Sequence, residues 1–157
     1  MLARRVGSDA GPFDIVVTSH LARAIETAVA MGFAVGEKWE KLGEYPETLP
    51  ARIGWPASLD VIGQNVHRFP DVRDFASAQW ANWKSVLTAL PQEGRGLVVT
   101  HGAMIELGAI VLLNETRASL NAPAFAYCEG LRIHVEDGEV AKVELLRLAD
   151  GKRQVSN

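Results

Sequence analysis

Apolar positions along the chain change period several times, and each change predicts an element. Leu2 and Val6 stand four apart with Gly7 behind them, the pattern of a closing helical turn and its stop. Phe13-Asp-Ile-Val-Val-Thr18 is a short β-branched run that predicts a strand. Leu21 to Met31 then takes helical spacing, with Gly32 placed as its terminator. A brief second strand is predicted at Phe33 to Val35. From Gly43 to Pro70 the periodicity lapses, and Pro46, Pro50, Pro56, Pro70 and Trp55 mark a loop-like region. Long loops of this kind often form lids, so this one is expected to set the choice of substrate.

Helical spacing returns at Val72, Phe75, Gln79, Trp83, Val86 and Leu90, with Asp71 as the expected N-cap and Pro91 beyond the end. After the turn residues Gly94-Arg-Gly96, Leu97-Val-Val-Thr100 predicts a strand, His101-Gly102 a turn, and Ala103 onward an apolar helix. Three further strands are predicted at Ala124 to Cys128, Leu131 to Val135 and Glu139 to Leu148, the last two joined through Asp137-Gly138, a strong hairpin signal. The sum is an α/β domain with an antiparallel edge.

Composition narrows this picture. With 157 residues, 48% of them hydrophobic and 22% charged, the chain fits a single globular domain. A net charge of -3 supplies no basic field for nucleic acid or an anionic membrane, so neither is expected as a partner, and any phosphate site must be local. The single cysteine, Cys128, rules out an internal disulfide and a Cys-based zinc site and suits a reducing, cytoplasmic setting. The first residues are basic but lack the apolar core of a signal peptide. The most apolar stretch, Ala103 to Leu113, is interrupted by Glu106 and Gly108 and falls well short of the ~20 residues that cross a bilayer.

Two segments end alike: Val16-Val-Thr-Ser-His20 and Val98-Val-Thr-His101-Gly102 are both apolar strands tipped with hydroxyl and imidazole groups. In open α/β sheets ligands bind beyond the carboxyl ends of strands, where the following helices also turn their N-termini, so both tips are expected to face one cleft. Ser19 at a helix start and Arg23 in its first turns could both meet a phosphate, through free backbone N–H groups and a guanidinium. Taken alone they read first as a capping serine and a solvated arginine. His101 alone is a hydrogen-bonded histidine at a strand end, and Gly102 would let the backbone approach a ligand closely.

Ser19-x-x-x-Arg23-Ala24-x-x-Thr27 after one strand and His101-Gly102 after another resemble, in order and context, the histidine phosphatase (phosphoglycerate mutase-like) superfamily. Leu42-Gly-Glu44 looks like that family's acid segment, and Asn121 to Val135 like its closing strands. The resemblance implies a three-layer sandwich around a mostly parallel sheet, and phosphomonoester hydrolysis or phosphoryl transfer through a phosphohistidine, without metal or cofactor. It implies a phosphorylated small molecule as substrate, Arg23 as a phosphate clamp with Ser19 and Gly102 beside it, His101 as the second histidine, and Glu44 as the acid that protonates the leaving oxygen. Glu37, Glu40 and Glu47 remain alternatives to Glu44.

One departure is large. The family's nucleophilic histidine stands in an Arg-His-Gly sequence on a strand preceding the serine motif, and no histidine precedes His20 here. His67-Arg68 reverses the order and lies in the loop-like region. His20, His67 and His134 are read as structural or surface residues. The departure fits a phosphatase whose first strand lies outside this sequence, or a non-catalytic relative that binds a phosphorylated ligand or a protein partner. Either way the chain as it stands is expected to turn over little or nothing, and an unfilled place in the sheet would favour association between copies.

Overall fold

β1 (Ile15–Ser19) is the centre of a three-stranded parallel sheet, paired on one side with β2 (Glu37–Trp39) and on the other with β3 (Gly96–Val99). The chain, seen here in a computed structural model, is described over residues 2–149. Its contacts divide it into two compact units, each assembled from separated segments: residues 1–45 with 81–101, and residues 46–80 with 102–157. The architecture is mixed α/β. Among the described residues no helix is long and apolar enough to cross a membrane.

In the first unit, β1 is buried from Val16 to Ser19, as a β-branched run flanked by strands on both sides should be. α2 (Ala22–Met31) follows it and ends at Gly32, whose φ of 97° is the left-handed closure expected of that glycine. α1 (Leu2–Ala10) does not stop at Gly7. A β-carbon at Gly7 would lie 1.9 Å from the Met31 carbonyl oxygen, so this glycine permits close helix packing rather than termination. The strand expected at Phe33 to Val35 is displaced to β2. Phe33 is engaged elsewhere: its N–H closes the end of α2 on the Ala28 carbonyl, and its ring meets Phe13 edge-on at 4.9 Å. Arg95 fixes the approach to β3, its backbone N–H donating to Asp14 Oδ2 (2.8 Å) and its guanidinium to the Ala10 carbonyl (2.6 Å).

In the second unit the expected loop contains two helices, α3 (Leu49–Ile53) and α4 (Leu59–Arg68). Leu49, Ile53, Leu59, Ile62 and Val66 are buried at helical spacing, and Pro50 and Pro70 stand at helix starts, where a missing N–H costs nothing. Asp71 lies in the first turn of α5 (Pro70–Ala89) and is clamped by Arg52 through both guanidinium nitrogens. The division between the units falls inside this helix. α6 (Met104–Glu115) is mostly buried from Met104 to Leu113, and Glu115, exposed at its end, accepts the indole N–H of Trp80 at 2.6 Å.

Residues 124–128 do not form the expected strand. Carboxylates claim their donors: Phe125 N–H donates to Glu106 (2.9 Å) and Ala126 N–H to Glu129 (2.9 Å), while Arg147 takes the carbonyls of Pro123 and Ala124. With those groups satisfied by side chains, no strand ladder is needed. β4 (Gly130–Glu136) and β5 (Glu139–Leu146) form the expected hairpin, with Asp137 and Gly138 both at positive φ. They make a separate antiparallel pair, not an edge of the parallel sheet.

Candidate functional site

The carboxyl ends of β1 and β3 bring a small set of polar groups together within the first unit. Parallel pairing sets Thr18 opposite Val99, so Ser19 and His20 leave β1 where Thr100 and His101 leave β3. Arg23, in the first turn of α2, donates from Nε to Nδ1 of His101 at 2.9 Å. A guanidinium can only donate, so Nδ1 carries the lone pair and the neutral ring's proton sits on Nε2. Nε2 is buried and has no partner. The ring is therefore fixed by Arg23 with an N–H that lacks an acceptor. Burial above all, then the charge of Arg23 and the neighbouring His20, hold the His101 pKa down from its ordinary 6.5 to about 4, so the imidazole is neutral near pH 7.

Ser19 is fully buried, and its hydroxyl accepts the Leu21 N–H at 3.2 Å. It thereby shapes the turn into α2, whose N-cap is Leu21 rather than the serine itself. The turn packs on Gly43: a β-carbon there would lie 2.2 Å from Ser19 Oγ and 3.4 Å from His20 Nδ1. Gly43 follows a 3₁₀ turn at Glu40–Leu42, tied to the sheet by Thr100 Oγ1 donating to the Leu42 carbonyl at 2.8 Å. This places Glu44, largely exposed, with Oε1 at 4.0 Å from His20 Nε2. Of the alternative carboxylates, Glu37 accepts the Trp39 indole N–H, and Glu40 and Glu47 are exposed. Gly102 belongs to the second unit, where its missing side chain makes room for Trp55, whose ring carbon would lie 2.4 Å from a β-carbon.

No family model matches the chain, nor does any curated protein or solved structure. The site therefore rests on its own geometry. A guanidinium whose terminal nitrogens make no hydrogen bond to a described residue, a buried imidazole N–H without an acceptor and the first turn of a helix are each groups of a kind that can bind an anion. Among the described residues no group of three or more His, Cys, Asp or Glu is placed to hold a metal ion.

His20, which the sequence pattern marks only as a structural or surface residue, stands beside Glu44 and close enough to His101 to oppose its charging. The signal was available: His20 directly follows Ser19 at the tip of the same strand. His67 on α4 and His134 on β4 are exposed and lie in the second unit, and His134 pairs with Glu144 at 3.0 Å. An open apolar groove of about 480 Å³ is lined by Arg4, Ile25, Glu26, Val29 and Ala30, and none of the polar cluster contributes to it.

Proposed function

We propose that the Arg23–His101 cluster is the phosphoryl-binding part of a histidine phosphatase-like site, acting on a phosphorylated small molecule. The single observation that carries this reading is the buried Nε2–H of His101, which has no acceptor while Arg23 locks its ring. A buried donor without a partner costs about 1–3 kcal/mol, and a phosphoryl oxygen would remove that cost. Arg23 would hold a second oxygen through its terminal nitrogens, and Glu44 would stand on the leaving-group side. His101 held from the side of the phosphoryl group cannot also attack phosphorus in line with the leaving group. Phosphoryl transfer then depends on a nucleophile that this sequence does not contain, and the chain by itself binds without turnover.

Calorimetry with inorganic phosphate, and hydrolysis of an aryl phosphate across a range of pH, test this. Binding is expected in the unaltered chain and is expected to weaken at least about tenfold in Arg23→Ala and in His101→Ala, with little or no turnover in any of them. Absence of phosphate binding would overturn the site, and turnover that disappears in His101→Ala would make His101 the nucleophile. Activity restored by a preceding Arg-His-Gly segment would support the phosphatase reading, and continued inactivity a non-catalytic phosphate-binding relative.

A further inference from the structure

We infer that His20 is the third member of this anion site and takes up a proton when the anion binds. The inference rests on the phosphate reading of the Arg23–His101 pair and adds a residue and a proton to it. Three observations meet at His20. Its Nδ1 is buried and has no partner, so one ring nitrogen is enclosed with its hydrogen-bonding capacity unused. Its Nε2 faces Glu44 Oε1 at 4.0 Å, an ion-pair separation only when the imidazole is charged. His20 is also close enough to His101 for the charge of one to oppose that of the other.

The titratable and charged groups beside His20 are Glu44, from the segment after the 3₁₀ turn, and His101, from the end of β3, whose Nδ1 is held by Arg23 of α2. A bound dianion adds two negative charges beside the ring and favours its charged form. The proton comes from solvent and completes the ring's pair of N–H groups, one directed at Glu44 and one free for an anion oxygen. His101 does not need this proton, because its Nε2–H is already in place. Glu44 then acts at a distance: its carboxylate opposes the anion until His20 is charged.

Sulfate is the probe, since it remains a dianion over the working range and any proton taken up belongs to the protein. Calorimetry in two buffers of different ionisation enthalpy counts the protons. The unaltered chain is expected to take up a substantial fraction of one proton near neutral pH, and its sulfate affinity to fall by up to about tenfold per pH unit on the alkaline side. In His20→Gln sulfate still binds, several-fold more weakly, with no uptake and a flat pH profile. In Glu44→Gln, where the opposing charge is gone, alkaline affinity rises, an outcome that disruption of the fold would not give. Binding without uptake in the unaltered chain, or uptake unchanged in His20→Gln, overturns the role of His20 and leaves the Arg23–His101 site standing. Failure of sulfate and phosphate to bind at all overturns both.

Discussion

Glu106 offers a sharp test of the electrostatics of the second unit. Its side chain is fully buried on α6, where Oε1 accepts the Phe125 N–H at 2.9 Å. Oε2 has no partner, and the Trp55 indole N–H lies near it without closing a hydrogen bond. Burial pushes the carboxyl above its usual range, outweighing the Phe125 N–H, which acts in the opposite direction. An unfolded glutamate releases its proton near pH ~4.3, while the folded one still holds it. From that pH up to the folded-state value, stability therefore falls as pH rises, by up to about 1.4 kcal/mol per pH unit. Glu106→Gln keeps an acceptor for Phe125 and a neutral group, so at the acid end the two chains should agree within about 1 kcal/mol. Toward about pH 8 the variant should become the more stable chain. Urea unfolding followed by tryptophan fluorescence from about pH 5 to about pH 8 measures the difference. Two stability curves that stay parallel over this range would mean that Glu106 is already ionised in the fold, and the argument from burial would be wrong.

Gly7→Ala should lower the urea midpoint by an amount equivalent to roughly 1–3 kcal/mol, because the new β-carbon meets the Met31 carbonyl, a backbone atom that cannot turn aside. Gly43→Ala should leave the fold in place but weaken phosphate binding about tenfold, since it displaces Ser19 and the turn that carries His20; an unchanged affinity would detach that turn from the site. In nitrogen-detected NMR, His101 should appear as the Nε2–H tautomer with a titration midpoint of about 4, which Arg23→Ala moves upward but not fully to 6.5, because burial is the larger cause. The same depression has a stability sign: between 6.5 and about 4 the unfolded chain binds a proton that the folded chain refuses, so stability falls as pH is lowered through that window.

The elements legible in the sequence were those whose hydrogen bonds stay within the backbone. β1, α2 with its Gly32 stop, β3, α6 and the Asp137-Gly138 hairpin all lie close to their predicted places. α3 and α4 were hidden because prolines punctuate that stretch, and the pattern does not say whether a proline breaks a helix or opens one. The failed strand at residues 124–128 shows the complementary limit, since Glu106 and Glu129 reach it from 19 and three residues away. Repeated strand tips were enough to anticipate that Arg23 and His101 would meet. His20 was passed over because its significance comes from Glu44 and Gly43, which pairing between strands, rather than spacing along the chain, brings beside it.

The register that joins Ile15 to Gly96 also constrains how the protein can be made. On a ribosome, β1 emerges well before β3, and of its two partners in this sheet only the three-residue β2 is available until β3 appears. A two-stranded parallel pair of that length is marginal in water, so Val16 and Val17 must wait, exposed, for the rest of their sheet. The N-terminal unit can close only after residues 81–101 have been synthesised, and a chain interrupted before them presents an apolar strand with one side unpaired. Nascent chains of intermediate length are thus the species most exposed to chaperone capture, and the hazard ends when β3 docks.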